Sequence, residues 1–271
     1  GAEGEPKMKW ADDTRAGKPF AKDPSVIRFG GRYLMYFSLP PASDKKLPPG
    51  WAIGIAESKD LIQWKRVDEI LPEQECDAKG LCAPGARILD GKVHLFYQTY
   101  GNGQKDAICH AVSDDGLKFT RNATNPVFRP SGDWTCGRAI DAEVIEFGDQ
   151  LLLYCATRDP AFKIQMVAVA AADRKSNFGR EAWKQLHDGP VLKPELPWET
   201  KCIEAPTMVK RGETLFMFYA GGYNNEPQQI GCASSKDGVH FTRLFQEPLL
   251  PNGKTGTWNS SVVMPSVICT T

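Results

Sequence analysis

Apolar and polar positions along this chain alternate in short runs, with turn residues between them, and no stretch shows a sustained helical period. One phrase recurs. Ile203-Glu204-Ala205-Pro206-Thr207-Met208-Val209 leads through a turn at Arg211-Gly212-Glu213 into Thr214-Leu215-Phe216-Met217-Phe218-Tyr219. Asp23-Pro24-Ser25-Val26-Ile27 leads through Gly30-Gly31 to Tyr33-Leu34-Met35-Tyr36-Phe37, and Ala83-Pro84-Gly85-Ala86-Arg87 leads through Asp90-Gly91 to Val93-His94-Leu95-Phe96-Tyr97. Asp141-Ala142-Glu143-Val144-Ile145 leads through Gly148 to Leu151-Leu152-Leu153-Tyr154, and Met264-Pro265-Ser266-Val267-Ile268 opens a last copy. The heads stand at 23, 83, 141, 204 and 264, a spacing of about 60 residues that belongs to repeat architectures.

Each unit also ends alike. Ser58-Lys59-Asp60 precedes Trp64, Ser113-Asp114-Asp115-Gly116 precedes Phe119, and Ser235-Lys236-Asp237-Gly238 precedes Phe241. Asp and Gly supply the turn between a third and a fourth strand, and the aromatic anchors the outer strand. The third unit departs, with Ala170-Ala171-Ala172-Asp173 leading to Trp183 and a longer outer loop expected. Four short strands per unit at this period predict an all-β chain, a five-bladed β-propeller of four-stranded antiparallel blades. One domain over residues 1–271 is expected, with blades starting near 22, 82, 140, 203 and 262. Only the innermost strand of the fifth blade is written before Thr271, which reads as an incomplete blade in a truncated sequence.

Composition narrows the function classes. Thirty-three basic and 33 acidic residues balance, with no basic run, so nucleic acid is not an expected partner. No stretch approaches the ~18 apolar residues of a membrane span. The start, Gly1-Ala2-Glu3-Gly4, carries no signal peptide and reads as a trimmed terminus, so export to a periplasmic or extracellular site is the expectation. A monomer is expected. Seven Trp suit a sugar-binding protein as well as a β-rich core. Of eight Cys, Cys76 and Cys82 flank one short loop and are candidates to pair, and no Cys/His spacing suggests zinc.

The innermost strands of a propeller line its central channel, so scattered heads converge. Asp23, Asp141 and Glu204 are expected at the same place in blades one, three and four, and carboxylates gathered in one depression raise one another's pKa. Cleavage of a glycosidic bond needs such a pairing, an acid for the leaving oxygen and a base on the other face of the sugar. The same convergence would suit a structural Ca²⁺ in the channel, although no cofactor is required. Around the acids, Arg87, Arg138 and Arg158 are candidates to hold hydroxyls or a substrate carboxylate, and Trp134 and Trp258 to stack on a sugar.

Asp23-Pro24 at the first blade, Ala139-Ile140-Asp141-Ala142-Glu143-Val144 at the third and Cys202-Ile203-Glu204-Ala205-Pro206-Thr207 at the fourth, with the Ser-x-Asp-Gly turns between, resemble the five-bladed propeller glycosidases of glycoside hydrolase family 43. Families 117 and 32 share the propeller. The resemblance implies that Asp23 is the general base, Glu204 the general acid and Asp141 the residue that orients the acid and tunes its pKa, with inversion at the anomeric carbon. It also implies a plant or algal oligosaccharide substrate, with arabinofuranose, xylose or galactose as the terminal sugar. The chain departs mildly in reading Glu204-Ala205-Pro206 where the family often has Glu-Gly-Pro. Two alternatives stay open: a glycoside phosphorylase, which would want arginines in the funnel, and a non-catalytic carbohydrate-binding propeller.

Overall fold

The computed structural model describes residues 10–20, 22–223, 226–257, 259–260, 265 and 268–269. The first blade consists of β1 (Lys22–Phe29), β2 (Arg32–Leu39), β3 (Ala52–Ser58) and β4 (Lys65–Ile70). The second has β5 (Leu81–Leu89), β6 (Lys92–Thr99), β7 (Ile108–Ser113) and β8 (Thr120–Arg121). The third has β9 (Ile140–Phe147), β10 (Gln150–Arg158), β11 (Gln165–Asp173) and β12 (Lys184–Gln185). The fourth has β13 (Ile203–Arg211), β14 (Thr214–Gly221), β15 (Gln229–Ser235) and β16 (Thr242–Arg243). Each is an antiparallel meander, as the Gly-containing hairpin turns require.

Among the described residues the propeller has four such blades, where the repeat predicts five. Of the fifth unit, β17 (Ile268–Cys269) pairs in parallel with β1, Val26 opposite Ile268. Thr207 of β13 donates its hydroxyl to the Pro265 carbonyl. The backbone of β17 covers the otherwise open edge of β1.

The first strands β1, β5, β9 and β13 pack side by side, and apolar layers fill the space between neighbouring blades. Ile27, Tyr36 and Ile55 of the first blade meet Val93, Leu95 and Tyr97 of the second. Leu152, Tyr154 and Val169 of the third meet Met208, Met217 and Tyr219 of the fourth. Side chains of this size contribute about 1.5–3 kcal/mol each on full burial. Polar staples join the same blades. Tyr36 donates to the Gly116 carbonyl, and Tyr154 to that of Gly238, so each reaches the predicted Asp-Gly turn of the next blade. In those turns the Ser113 and Ser235 hydroxyls cap the Gly116 and Gly238 amides.

Two buried ion clusters close blades two and four. Asp77 accepts from the Glu73 and Gln74 amides and from Arg121, which also donates to Tyr97. Glu199 accepts from the Glu195 and Leu196 amides, from Tyr219 and from Arg243.

Between blades two and three lies a histidine pair. The His94 and His110 rings stack at 5.2 Å, with Phe178 edge-on to both. Asn122 stands 3.1 Å from His110 Nδ1 and donates to it, so His110 Nε2 carries the proton directed at His94 Nδ1, 2.9 Å away. Burial lowers the pKa of His94 to about 4 and of His110 to about 3; Asp90 opposes the shift at His94 and Lys92 adds to it. Folded values below the unfolded ~6.5 mean stability that is present above that pH and lost as pH falls through 6.5 toward 4. Between pH 7 and 5 the wild type should lose on the order of 2–4 kcal/mol more than a His94→Phe/His110→Phe variant in urea unfolding. Equal losses in both proteins would sink this assignment.

Cys76 and Cys82 do not pair. Cys82, on β5, turns toward the channel, whereas Cys76 sits in an outer 3₁₀ turn with its sulfur 3.9 Å from that of Cys109. The seven cysteines with described side chains are free thiols. Proximity along a loop does not set the direction of a side chain, and these two leave the backbone toward different layers.

Candidate active site

Every first strand breaks its pleat at the same point. The register of β1 on β2 shifts between Lys22 and Ser25, that of β5 on β6 between Cys82 and Gly85, and that of β13 on β14 between Glu204 and Thr207. β9 on β10 shifts likewise. At each break one non-glycine residue has a left-handed backbone: Asp23 (φ 52°), Ala83 (48°), Asp141 (55°) and Ala205 (51°). Such residues cost of order 1–3 kcal/mol each and persist where the surroundings hold them. A bulge places two residues opposite one. It therefore lets consecutive side chains share a face that regular alternation would separate, and Lys22 with Asp23, Cys82 with Ala83, and Ile140 with Asp141 all line one cavity.

Asp23 and Asp141 are thus true equivalents, but Glu204 is not in their register. It stands one residue earlier, opposite Ala220 as Lys22 is opposite Ser38, and Ala205 takes the bulge position. The longer side chain still reaches the same cavity, about 160 Å³ in volume, which Gln98, Tyr100, Arg138, Arg158, Gln165 and Tyr223 complete.

Neighbouring blades hold the acids through the bulge amides. The Ala83 amide donates to Ser38 Oγ at 2.8 Å, and Ser38 donates to Asp23 Oδ2 at 2.6 Å. The Asp141 amide donates to Gln98 Oε1, and the Ala205 amide to Asp141 Oδ2 at 3.2 Å. Glu204 is buried, and its two oxygens accept from the side-chain amides of Gln165 and Gln228, both themselves buried. Arg158 Nε donates to Gln165 Oε1 at 2.9 Å, so a relay of hydrogen bonds runs from guanidinium to carboxyl.

Burial dominates the electrostatics. It raises the pKa of Asp141 to about 7, with the Glu204 and Asp23 carboxylates adding to the rise. Glu204 is raised by burial against the opposing hydrogen bonds of Gln228 and Gln165 and the charge of Lys22. Asp23 is raised by burial too, although Lys22 and Ser38 favour its ionised form. At Lys22 burial disfavours the ammonium, but Asp23 and Asp141 outweigh it and the pKa rises. The cluster therefore carries its own cation. That suits calcium poorly, and among the described residues no group of three or more His, Cys, Asp or Glu side chains is arranged to hold a metal.

The other sequence candidates divide. Arg138 and Arg158 line the cavity. Arg87 lies deeper along the channel and donates to the Val144 carbonyl of the next blade. Near it, Glu143 accepts from the Met208 amide and is raised to about 7 by burial, against Arg87. Trp134 packs against the core between blades two and three. Trp258 lies outside the described residues. Lys22, Ser38, Gln98, Gln165 and Gln228 escaped the reading of the chain. Lys22 and Ser38 sit beside or across from a predicted head, but the three glutamines come from two strands and a loop with no signal of their own.

A chain with this architecture can be set beside known proteins. It is 23% identical over 209 residues to the 1,2-beta-oligomannan phosphorylase of Thermoanaerobacter sp. (strain X514), covering 74% of this chain and 64% of that protein. The chain thus spans less than two thirds of that relative's length. The fold matches a thermostable family-43 glycoside hydrolase with a TM-score of 0.65 at 20% identity, covering 90% of this chain and 78% of the other. It also matches a family 117 glycoside hydrolase of the marine bacterium Zobellia galactanivorans, with a TM-score of 0.64 at 20% identity, covering 86% and 71%. The profile of the glycosyl hydrolases family 43 matches residues 17–240, most of the chain and all four heads that meet in the cavity. By that match, this chain belongs to the glycosyl hydrolases family 43.

Proposed function

We propose that the protein hydrolyses a glycosidic bond with inversion, Glu204 acting as general acid, Asp23 as general base and Asp141 as the residue that tunes Glu204. The observation that carries this reading is the convergence of three carboxyl groups from three blades in one cavity, each with a raised pKa. A raised pKa keeps a carboxylic acid available near neutrality, which protonation of a leaving alkoxide needs. Asp23 is held by Ser38 and Lys22, both of which favour its ionised form, as a base for water requires. Burial raises both Glu204 and Asp141, and the Glu204 carboxylate adds to the rise at Asp141, so activity should fall on the alkaline side as the pair gives up its shared proton. The substrate class proposed is a plant or algal oligosaccharide ending in arabinofuranose, xylose or galactose, met by an exported, monomeric protein. We also read β17, beside β1, as the first strand of a fifth blade.

The test is a panel of aryl glycosides and oligosaccharides, with NMR of the fresh product. Release with the inverted anomer appearing first is the expected result. The retained anomer would sink the mechanism, and silence across the panel from a folded, sugar-binding protein would favour a binding propeller. The phosphorylase reading draws on Arg138 and Arg158 in the cavity and on the phosphorylase relative. Turnover that depends on inorganic phosphate would select it.

A further inference from the structure

The wall of the cavity beside Glu204 is built of guanidinium groups with few partners. Arg138 is 11% exposed, and its Nε is buried with no hydrogen-bond partner among the described residues. Asp106 pairs with it by charge, but at 3.9 Å from that nitrogen it makes no hydrogen bond. Arg158 spends its Nε on Gln165, which leaves the forked end of its guanidinium for the cavity it lines. An arginine enclosed by protein and short of hydrogen bonds is costly unless an anion completes it.

The backbone positions both groups deliberately. Phe162 takes φ 61°, a conformation that a bulky residue rarely adopts. It is held by a tight loop in which the Phe162 amide donates to the Asp159 carbonyl and the Asp159 carboxylate accepts from the Lys163 and Ile164 amides. Its ring stands 4.3 Å from the Arg158 guanidinium carbon and 5.7 Å from that of Arg138. Tyr223 covers Arg158 from another side at 5.2 Å and donates its hydroxyl to the Lys163 carbonyl, tying the loop to blade four. Aromatic faces hold the planar cations while leaving their in-plane N–H groups available. At neutral pH arginines stay charged, whereas Asp141 and Glu204 resist ionisation because of burial. This side of the cavity is therefore cationic.

We infer that Arg138 and Arg158 bind the carboxylate of an acidic sugar, so that the substrate is a uronic acid glycoside. This rests on the glycosidase reading of the same cavity only in taking the ligand to be a sugar, and it puts an acidic sugar in place of the neutral terminal sugar proposed above. Free phosphate is the less favoured source of the anion. Phosphate that replaces water would sit on the side of the general base, with Asp23 and Ser38, whereas Arg158 reaches toward the acid through Gln165. Lys22, the cation beside Asp23, is already surrounded by carboxylates. A planar fork matches a carboxylate in bidentate fashion.

The experiment has two arms on wild type, Arg138→Met and Arg158→Met, with Arg158→Lys replacing any Met variant that fails to fold. Calorimetry at pH 7 compares glucuronate and galacturonate with glucose and galactose, and hydrolysis compares nitrophenyl uronides with the matching neutral glycosides. The expected result is at least tenfold tighter binding of one uronate than of its neutral sugar, with that ratio of affinities falling toward one in the variants. Arg158→Lys, which keeps charge without the fork, should retain only part of that preference. Equal binding of neutral and acidic sugars, or a preference that survives both substitutions, overturns the inference even if neutral glycosides are hydrolysed. Uronate preference with no turnover upholds it while the hydrolase reading falls. Inorganic phosphate that competes with uronate and becomes necessary for turnover overturns it by assigning the arginines to phosphate.

Discussion

Glu204→Gln should lower kcat on alkyl glycosides by about 10²- to 10⁴-fold, the contribution of a positioned general acid. The substitution keeps the size of the side chain in a buried setting where Glu204 fills the gap between Gln165 and Gln228. It removes the proton that the leaving oxygen needs, and it sets an amide N–H₂ against one of two donors. The fold should survive, since leaving one buried donor without its acceptor costs about 1–3 kcal/mol. The decisive comparison is between leaving groups. A dinitrophenyl glycoside departs without protonation, so its hydrolysis should fall far less than that of an alkyl glycoside. The alkaline limb should disappear in the variant as well, because the pair no longer shares a titrating proton. Uniform loss across all leaving groups would remove Glu204 from the role of acid and leave it a structural partner of the two glutamines.

The largest effect on stability is expected far from the cavity, at Arg243. Its Nε and one terminal nitrogen each lie 2.8 Å from the Glu199 carboxylate, another donates to Glu195, and the Lys193 carbonyl takes a further bond. Glu199 is wholly buried. Arg243→Met would keep much of the packing but leave that carboxylate with only backbone amides and Tyr219 for partners. Removing one member of a buried pair costs about 3–5 kcal/mol, which in a chain of this size lowers Tm by roughly 10 °C. The double variant Glu199→Gln/Arg243→Met removes the stranded charge and should recover part of the loss. Thermal and urea unfolding of the three proteins checks both statements. A single-variant loss under about 1 kcal/mol would show that solvent reaches the cluster. Because Asp77 and Arg121 occupy the corresponding place in blade two, Arg121→Met should repeat the result with a smaller acid.

How the chain divides into blades was legible because the signals are local. Alternation, the glycines of the hairpins and the Ser-x-Asp-Gly turns each act within a few residues, and they located the strands of four blades before any contact was known. The convergence of Asp23, Asp141 and Glu204 was legible for the same reason: a repeat read along the chain becomes a ring around a channel. Contacts between blades were not legible. The break in each first strand is occupied by Asp or Ala rather than Gly, so the left-handed backbone leaves no mark in composition, and the one-residue offset of Glu204 stayed hidden. Gln165 and Gln228 stand 39 and 24 residues from Glu204 and meet it only once β11 and the loop before β15 are folded against β13. The three arginines looked alike in sequence, yet Arg87 is taken by a carbonyl of the next blade, while Arg138 and Arg158 are set against Phe162 at the cavity. Sequence by itself determined the repeat and the acids, since both follow from residue type and period. Tertiary structure alone decided their electrostatics, because burial and partners from other blades set which carboxyl keeps its proton and which cation lacks a hydrogen bond.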